Sequence, residues 1–245
     1  MKVAIQQPHY FPWIGYFDKM AKVDLFVLLD EVQLEKRSPM TRNRVLGPGG
    51  SVEYISVAAN QRGHREKRYN EILISDDSSW KKKNLSQLQE YYRKAPFYEE
   101  ILPILQQFYC ADWGTLCEWS VSSIQMLKEL LEIPTQLVYQ KDVSYDRSNK
   151  KSDLILDLCI HVNADLYVAG RGASVQYLDR EAFEKNRIKI VFQDFQHPVY
   201  PQANAPEFVS GISALDMLFN CGIKKTRDLF WENVRNSREF ENIEG

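Results

Sequence analysis

The chain has 245 residues, of which 44% are hydrophobic and 26% are charged, and its formal net charge is −2. These values are typical of a globular protein, and they give no electrostatic reason to expect nucleic acid or an anionic membrane as a partner. No apolar run approaches the roughly 20 residues of a membrane-spanning helix, and the apolar stretch near the amino terminus is too short for a signal peptide. We therefore expect a cytoplasmic protein, with its oligomeric state left open.

The amino-terminal part of the chain predicts two parallel strands joined by a helix. Residues 3–7 form an apolar strand, residues 14–23 a helix, and the five consecutive apolar residues within 24–30 a strand buried on both faces. Residues 44–58, interrupted by Gly47-Pro48-Gly49-Gly50, predict a hairpin, and residues 72–75 predict a further short strand. Between them lies a predicted exposed loop with the basic residues Arg62, Arg65, Lys67 and Arg68.

The rest of the chain predicts a helical insert followed by a return to alternating strands and helices. Residues 76–132 are mostly helical, with Ser79 as an N-cap, Pro96 and Pro103 interrupting or starting segments, and a last helix over 113–131. Strands follow over 135–140, 165–170 and 188–194, and helices over 151–162, 180–186 and 213–220, the last ending at Gly222. We predict an α/β fold with a Rossmann-like, mostly parallel sheet, as a single domain over 1–235 with a frayed tail over 236–245.

The cysteines and histidines predict no metal site. No two of the four cysteines have the close spacing of zinc ligands, and the four histidines are scattered along the chain. We expect all four cysteines to be buried, reduced thiols.

The loop after the first strand is the strongest candidate for a binding site. Its His9 could act as a general base or donate to a phosphate. Tyr10, Trp13 and Tyr16 could stack on a base or a sugar, or pack against the core, and we expect at least one of them to be packing. Gly15 would allow a nucleotide to approach the start of the helix, as the glycine of the His-x-Gly-His motif does in nucleotidyltransferases and class I aminoacyl-tRNA synthetases.

The carboxyl ends of later strands supply further candidates. Asp30 could hold a ribose or an ammonium group, or cap a turn, and Arg44 beside Asn43 could clamp a phosphate. The small residues Gly170 and Gly172 around Arg171 would let a phosphate approach the backbone. A stiff, proline-bounded loop after the last predicted strand carries His197, a second acid–base candidate, together with Tyr200 and Gln202.

Several ordered blocks together resemble the WbqC-like protein family over roughly residues 1–225. They are Gln7-Pro8-x-Tyr10-x-Pro12-Trp13-x-Gly15-Tyr16, Asp30-Glu31-Val32-Gln33, Arg42-Asn43-Arg44, Tyr91-x-x-Lys94-Ala95-Pro96, Tyr167-Val168-Ala169-Gly170-Arg171-Gly172 with Tyr177-Leu178-Asp179, His197-Pro198-x-Tyr200-Pro201-Gln202, and Ser213-x-x-Asp216-x-Leu218-x-Asn220. The resemblance implies a bacterial protein encoded among genes for sugar nucleotides and surface polysaccharides such as O antigen. It also adds Gln7 and Tyr177 to the expected substrate-binding residues.

The function that this resemblance implies is transfer of an acyl or aminoacyl group, for example glycyl, to the amine of a nucleotide-linked amino sugar. His9 or His197 would deprotonate the amine, and loop amides or Arg171 would hold the oxyanion. ATP with magnesium, an acyl thioester and an aminoacyl-tRNA remain alternative sources of the activated group. An adenylate-forming ligase and a non-catalytic protein that binds nucleotide sugars remain alternative functions.

Overall fold

The structure is a computed structural model that describes residues 1–35, 37–60, 63, 66–172, 174–237 and 240–241. Its helices and strands in chain order are β1 (Lys2–Gln6), α1 (Ile14–Ala21), β2 (Leu25–Leu28), β3 (Arg42–Leu46), β4 (Val52–Ser56), α2 (Ser79–Tyr92), α3 (Tyr98–Cys110), α4 (Leu116–Leu130), β5 (Gln136–Tyr139), α5 (Lys151–His161), β6 (Leu166–Ala169), α6 (Ser174–Tyr177), α7 (Arg180–Lys185), β7 (Lys189–Gln193), α8 (Ala214–Asn236) and β8 (Phe240–Glu241).

Five parallel strands form the centre of the fold, in the order β5-β2-β1-β6-β7. In β1, Val3 pairs with Leu25 on one side and Tyr167 on the other. Numbered along the chain, the parallel strands lie in the order 3-2-1-4-5, which is the doubly wound order of nucleotide-binding α/β proteins. This confirms the predicted α/β fold with a parallel sheet.

Two hydrophobic clusters cover the two faces of the sheet. One face packs against α1, α8 and the helical region, with Phe17 of α1 and Leu215 of α8 fully buried. The other face packs against α5 and α7, with Leu158 and Phe183 fully buried. Helices on both faces explain why the central strands are continuous apolar runs rather than alternating ones.

Three helices and a hairpin lie between β2 and β5, as the sequence predicts. The hairpin pairs β3 with β4, and α4 begins after a capping box in which Thr115 and Glu118 satisfy each other's backbone amides. Residues 72–75 are not a strand, because Leu73 and Ile74 make only isolated bridges, to Thr115 and Ala59. Other boundaries also shift: Ser78 rather than Ser79 precedes α2, and Pro103 lies within α3 without ending it.

The last helix is longer than the sequence predicts. Gly222, at φ 75° and ψ 168°, interrupts α8 where we expected it to end, and the chain then continues as a helix to Asn236. Beyond the glycine, Arg227 and Trp231 donate to the carbonyls of Leu130 and Leu131 at the end of α4. These long-range hydrogen bonds hold the second helical segment in place.

Further expectations concern the tail, the cysteines and the basic loop. The tail, which we expected to be frayed, contributes β8, whose Phe240 pairs antiparallel with Gln193 of β7. The division of the chain into a single domain over 1–235 stays a prediction. Three cysteines are buried as expected, whereas Cys110 at the end of α3 is exposed. Arg62 and Arg65 lie outside the described residues, and Arg68 pairs with Glu31.

Within the described ranges, no helix combines the length and apolar character needed to cross a membrane.

Candidate functional site

The loop between β1 and α1 is fixed by hydrogen bonds from four other segments. The amide of Tyr10 donates to Pro39 O (2.8 Å), and the amide of Phe11 donates to Ser123 Oγ (2.8 Å). Asn43 Nδ2 donates to Phe11 O (2.9 Å), and the amide of Ala214 donates to Pro12 O (2.9 Å). Phe11 has φ +42°, a strained value for a bulky side chain, and these bonds hold it there.

A cavity of about 340 Å³ opens at the carboxyl edge of the sheet, beside the ends of β1 and β6. From β1 the chain passes to one face of the sheet, and from β6 it passes to the other. A crevice at such a topological switch point is where open α/β sheets bind their ligands. The described residues that line it are Gln6, Trp13, Gly15, Tyr16, Lys19, Gly170, Arg171, Gly172, Gln193 and Phe195. We call this cavity the switch-point cleft.

Lys19 is a deeply buried basic side chain in this cleft, with 4% of the residue exposed. Its Nζ donates to Gln6 Oε1 at the end of β1, and a Cβ added at Gly170 would lie 3.9 Å from Nζ. Burial lowers the pKa of Lys19 from 10.5 to about 8, because the charged ammonium loses hydration. The cleft therefore contains an amine that changes protonation state close to physiological pH.

A buried hydrogen-bond network holds α1, and with it Lys19, against the end of β7. Gln193 Nε2 donates to Gly15 O (2.8 Å) and to Asp18 Oδ2 (2.8 Å). Lys22 Nζ lies 3.0 Å from Asp18 and 3.4 Å from Asp194 O. Because these hydrogen bonds join α1 to the end of β7, the network positions Lys19.

The opposite wall of the cleft has the features of a phosphate site. Residues 170–172 follow β6 without bulky side chains except Arg171, whose guanidinium lies 3.8 Å from Asp194. On the β1 side, the Trp13 ring lies directly over Gly15, and a Cβ on that glycine would overlap the ring. Glycine at 15 thus allows the six-membered ring of the indole to lie close against the start of α1, at the edge of the cleft.

A second cavity of about 280 Å³ lies on the other side of Trp13. We call it the arginine cavity, because it is lined by Arg37, Arg42 and Arg44, together with His9, Trp13, Ser38, Pro39, Asn43, Tyr54 and Gly211. Burial, reinforced by the charge on Lys19, lowers the pKa of His9 from 6.5 to about 3. His9 is therefore neutral at physiological pH.

The comparisons with known proteins bear on these same residues. The model of the WbqC-like protein family matches residues 7–228. This range includes the loop between β1 and α1, the arginine cavity, the described lining of the switch-point cleft except Gln6, and the first segment of α8. This chain belongs to the WbqC-like family. It is 32% identical over 225 residues to the Mycobacterium tuberculosis protein "Uncharacterized protein Rv1507c", an alignment that covers 90% of this chain and 94% of that protein. No solved structure matches the chain.

Six of the predicted site residues in this WbqC-like protein line the switch-point cleft, and four line the arginine cavity. The cleft contains Trp13, Gly15, Tyr16, Gly170, Arg171 and Gly172, and the arginine cavity contains His9, Trp13, Asn43 and Arg44. Trp13 belongs to both, and Asn43 also binds the loop backbone at Phe11. The predicted convergence of loops at one rim therefore corresponds to two adjoining cavities.

Tyr200 and Gln202 lie instead around a buried carboxylate. Asp216, in the first turn of α8, accepts hydrogen bonds from Tyr200 Oη (2.9 Å), Gln202 Nε2 (2.8 Å) and Tyr92 Oη (2.9 Å). Burial raises the pKa of this carboxyl, and the helix amino terminus favours its negative charge. In the part of the chain that the structure describes, both predicted substrate-binding residues serve this interior network.

Tyr10 and Asp30 also lie away from both cavities. Tyr10 is fully buried, and its Oη lies 2.6 Å from Tyr109 Oη, so it is the packing residue among the three aromatic candidates. Asp30 accepts from the amide of Lys141 (3.0 Å) and from Asn70 Nδ2 (3.3 Å), which joins the ends of β2 and β5. This agrees with the alternative in which Asp30 caps backbone.

The remaining candidates, His197, Gln7 and Tyr177, line neither cavity. His197 lies beside Trp13, with ring centroids 6.4 Å apart, and its Nδ1 is 2.9 Å from Pro198 O. Burial lowers the pKa of His197. Gln7 accepts from Tyr16 Oη through its backbone carbonyl (3.3 Å), and Tyr177 packs on the other face of the sheet.

Sequence reasoning missed four residues of the cleft: Gln6, Lys19, Gln193 and Phe195. One signal for Lys19 is present in the sequence, because it lies four residues after Gly15 and thus on the same side of α1. Gln193 and Phe195 had no such signal, since their place depends on β7 lying beside β6. Gln193 and Phe195 line the cleft only because the sheet places β7 next to β6.

Two larger cavities lie away from the carboxyl edge of the sheet. One of about 420 Å³ is lined by residues of α7 and β7 and of the turn between them. Another of about 440 Å³ is an open apolar groove between α3 and α4, lined by Phe108, Trp113 and Met126 among others. Neither combines buried ionisable groups with the switch point, so the switch-point cleft is the candidate site.

Proposed function

We propose that this protein transfers an acyl or aminoacyl group to the amine of a nucleotide-linked amino sugar in bacterial surface-polysaccharide synthesis. The observation that carries the proposal is a switch-point cleft in which a buried lysine faces a small-residue loop with an arginine. Family membership supports the substrate class through the association of such proteins with sugar-nucleotide genes. The chemistry of the cleft supports the binding mode.

The cleft suits a sugar attached to a diphosphate. Small residues at 170 and 172 allow phosphate oxygens to approach backbone amides, and Arg171 supplies a bidentate cation. Trp13 offers an aromatic face at the edge of the cleft for the sugar or the base. In this placement the sugar amine lies towards Lys19 at the bottom of the cleft.

Lys19 is a better general base for this reaction than either histidine proposed from the sequence. A useful base has a pKa close to the working pH, and the pKa of Lys19 is about 8. The pKa of His9 is about 3, so transfer of a proton from a sugar ammonium to its imidazole is strongly uphill. His9 also lines the arginine cavity rather than the cleft.

The proposed reaction forms one carbon–nitrogen bond and breaks one bond from the acyl carbon to its activating group. Lys19 removes a proton from the sugar ammonium, and the free amine attacks the activated carbonyl. The oxyanion of the tetrahedral intermediate is held by loop amides or Arg171. Its collapse releases the activating group, which takes the second amine proton, and Lys19 returns its proton to water.

Titration calorimetry of the purified protein with UDP- and TDP-linked amino sugars tests the binding step. We expect wild-type protein to bind at least one of them and Arg171→Gln to bind it at least tenfold more weakly, since a charge-assisted phosphate contact is lost. Arg93→Gln, an exposed arginine outside both cavity linings, is the matched control and keeps wild-type affinity. Failure of every nucleotide-linked amino sugar to bind, or equal affinity in Arg171→Gln, contradicts the proposal.

A further inference from the structure

The arginine cavity concentrates positive charge, and none of its described lining residues is acidic. Arg37, Arg42 and Arg44 line one space of about 280 Å³, and no ion pair joins any of them to a carboxylate of the described chain. The Arg42 guanidinium lies 4.2 Å from the centre of the Tyr54 ring, and its Nε donates to Arg37 O (3.3 Å). Arg44 packs against Gly211. Three cations held this way form a site for an anion.

His9 provides a second, independent observation in the same cavity. The residue is 9% exposed, and its Nδ1 has no hydrogen-bond partner among the described residues. A buried polar atom left without a partner costs about 1–3 kcal/mol, so such atoms commonly bond to a ligand or a water. His9 lines this cavity together with the arginines and Trp13, and its buried Nδ1 lies within the cavity wall.

We propose that the arginine cavity binds the phosphate groups of a second substrate, which approaches the nucleotide-linked sugar across Trp13. Trp13 lines both cavities, so two ligands bound in them would be separated by a single indole. The assignment of the second substrate as the acyl donor rests on the proposed function. Binding of a phosphorylated compound in the arginine cavity does not depend on it.

The charge of the cavity narrows the class of donor. Several guanidinium groups favour a diphosphate or triphosphate over a single carboxylate, because each phosphate can accept a bidentate pair. Two donor types carry such groups next to an activated acyl carbon: an ATP-derived acyl donor and a thioester of coenzyme A. Both share the phosphate chemistry that this cavity would recognise, and a nucleotide titration separates them.

Titration calorimetry with pyrophosphate isolates this site when the other phosphate site is disabled. The Arg171→Gln substitution weakens the switch-point cleft as an anion site, and we expect the variant protein to keep binding pyrophosphate through the arginine cavity. Adding Arg44→Gln, which retains the length of the side chain over Gly211, weakens that binding at least tenfold. Adding Arg93→Gln instead leaves it unchanged. Arg37→Gln, at an exposed position, repeats the test if the Arg44 variant unfolds.

Titration calorimetry with ATP and with coenzyme A, in the same Arg171→Gln background, distinguishes the two sources of the phosphates. The compound that binds more tightly indicates the type of acyl donor. Equal pyrophosphate affinity with and without Arg44→Gln overturns the inference, as does the absence of pyrophosphate binding in both wild-type and Arg171→Gln protein. If no nucleotide-linked sugar binds wild-type protein while arginine-dependent pyrophosphate binding persists, the proposed function fails and the anion site stands.

Discussion

The burial of Lys19 on α1 places its amine at the end of β1 and lowers its pKa. Each neighbouring residue on α1 is buried between the sheet and the helices above it, so the lysine reaches the end of β1 without leaving the protein interior. Loss of hydration makes its ammonium a readier proton donor and its amine available near neutral pH. The same group can also attract a phosphate, and substitutions separate these two roles.

Lys19→Arg keeps the positive charge but cannot lose its proton near neutral pH, because a guanidinium stays protonated. Lys19→Met removes both the charge and the ionisable group. If Lys19 is the base, kcat in wild-type protein rises as pH rises through about 8, where the amine becomes neutral. We expect Lys19→Arg to bind the nucleotide-linked sugar within about threefold of wild type while losing 10²-fold or more in kcat, as is typical of general bases. A Lys19→Arg enzyme with wild-type kcat and the same pH profile would show that the lysine acts by charge alone.

His9 makes a separate prediction about stability. Its pKa is about 3 in the folded state and 6.5 without burial, so between these values the unfolded chain binds a proton that the folded protein does not. Stability is therefore complete above pH 6.5 and falls as pH decreases, by about 2 kcal/mol between pH 6.5 and pH 5. We expect this loss to disappear in His9→Gln.

Urea unfolding of both proteins at pH 7 and pH 5 measures this difference. Asp18, Asp30 and Asp216, whose pKa values burial raises, give slopes of the opposite sign. Those slopes are the same in wild type and variant and cancel in the comparison. If the free energy of unfolding changes by the same amount between pH 7 and pH 5 in both proteins, His9 takes up its proton in the folded state as readily as in the unfolded one.

At individual positions, residue type only partly distinguished the side chains that line the cavities from those that make interior contacts. Trp13, Gly15 and Arg171 were predictable because they follow strands at the carboxyl edge, where loops converge. Tyr200 and Gln202 follow a strand in the same way, but the buried carboxylate of Asp216 takes their donors. A sequence does not show which of several polar groups will satisfy a buried charge, since that depends on the packing of distant helices.

Among the elements, α8 shows how a single glycine divides a helix without ending it. Gly222 has φ 75° and ψ 168°, a conformation that is essentially restricted to glycine, and a Cβ there would overlap Phe97. Glycine after an apolar helical segment normally predicts a helix end, which is why the sequence indicated one at this point. The contacts that restart the helix, from Arg227 and Trp231 to the end of α4, are about 100 residues apart in sequence.

Gly222→Ala is expected to lower the free energy of unfolding by about 2–4 kcal/mol, because backbone strain adds to the overlap with Phe97. Gly49→Ala is the matched control: Gly49 also has positive φ, at 70°, but a Cβ there meets nothing within 4 Å. We expect that control to cost about 1 kcal/mol. Equal losses for the two variants in urea unfolding would mean that the Gly222 bend imposes no packing constraint.

Over the whole molecule, the order of the parallel strands determines where the switch-point cleft lies. The alternation of apolar strands and amphipathic helices predicted the parallel sheet, and the loops after the strands predicted most of the switch-point cleft. The division of that rim into two cavities on either side of Trp13 was not predictable, because it depends on how the β3–β4 hairpin and the start of α8 meet the aromatic loop. Such contacts join parts of the chain with no local sequence relation.

A crystal structure of the protein with the tightest-binding nucleotide-linked amino sugar tests whether this ligand binds in the switch-point cleft with its amine at Lys19. The expected result is a diphosphate within hydrogen-bond distance of Arg171 and the 170–172 amides, with the sugar nitrogen within about 3.5 Å of Lys19 Nζ. A diphosphate bound among Arg37, Arg42 and Arg44, or a sugar nitrogen turned away from Lys19, would contradict the account.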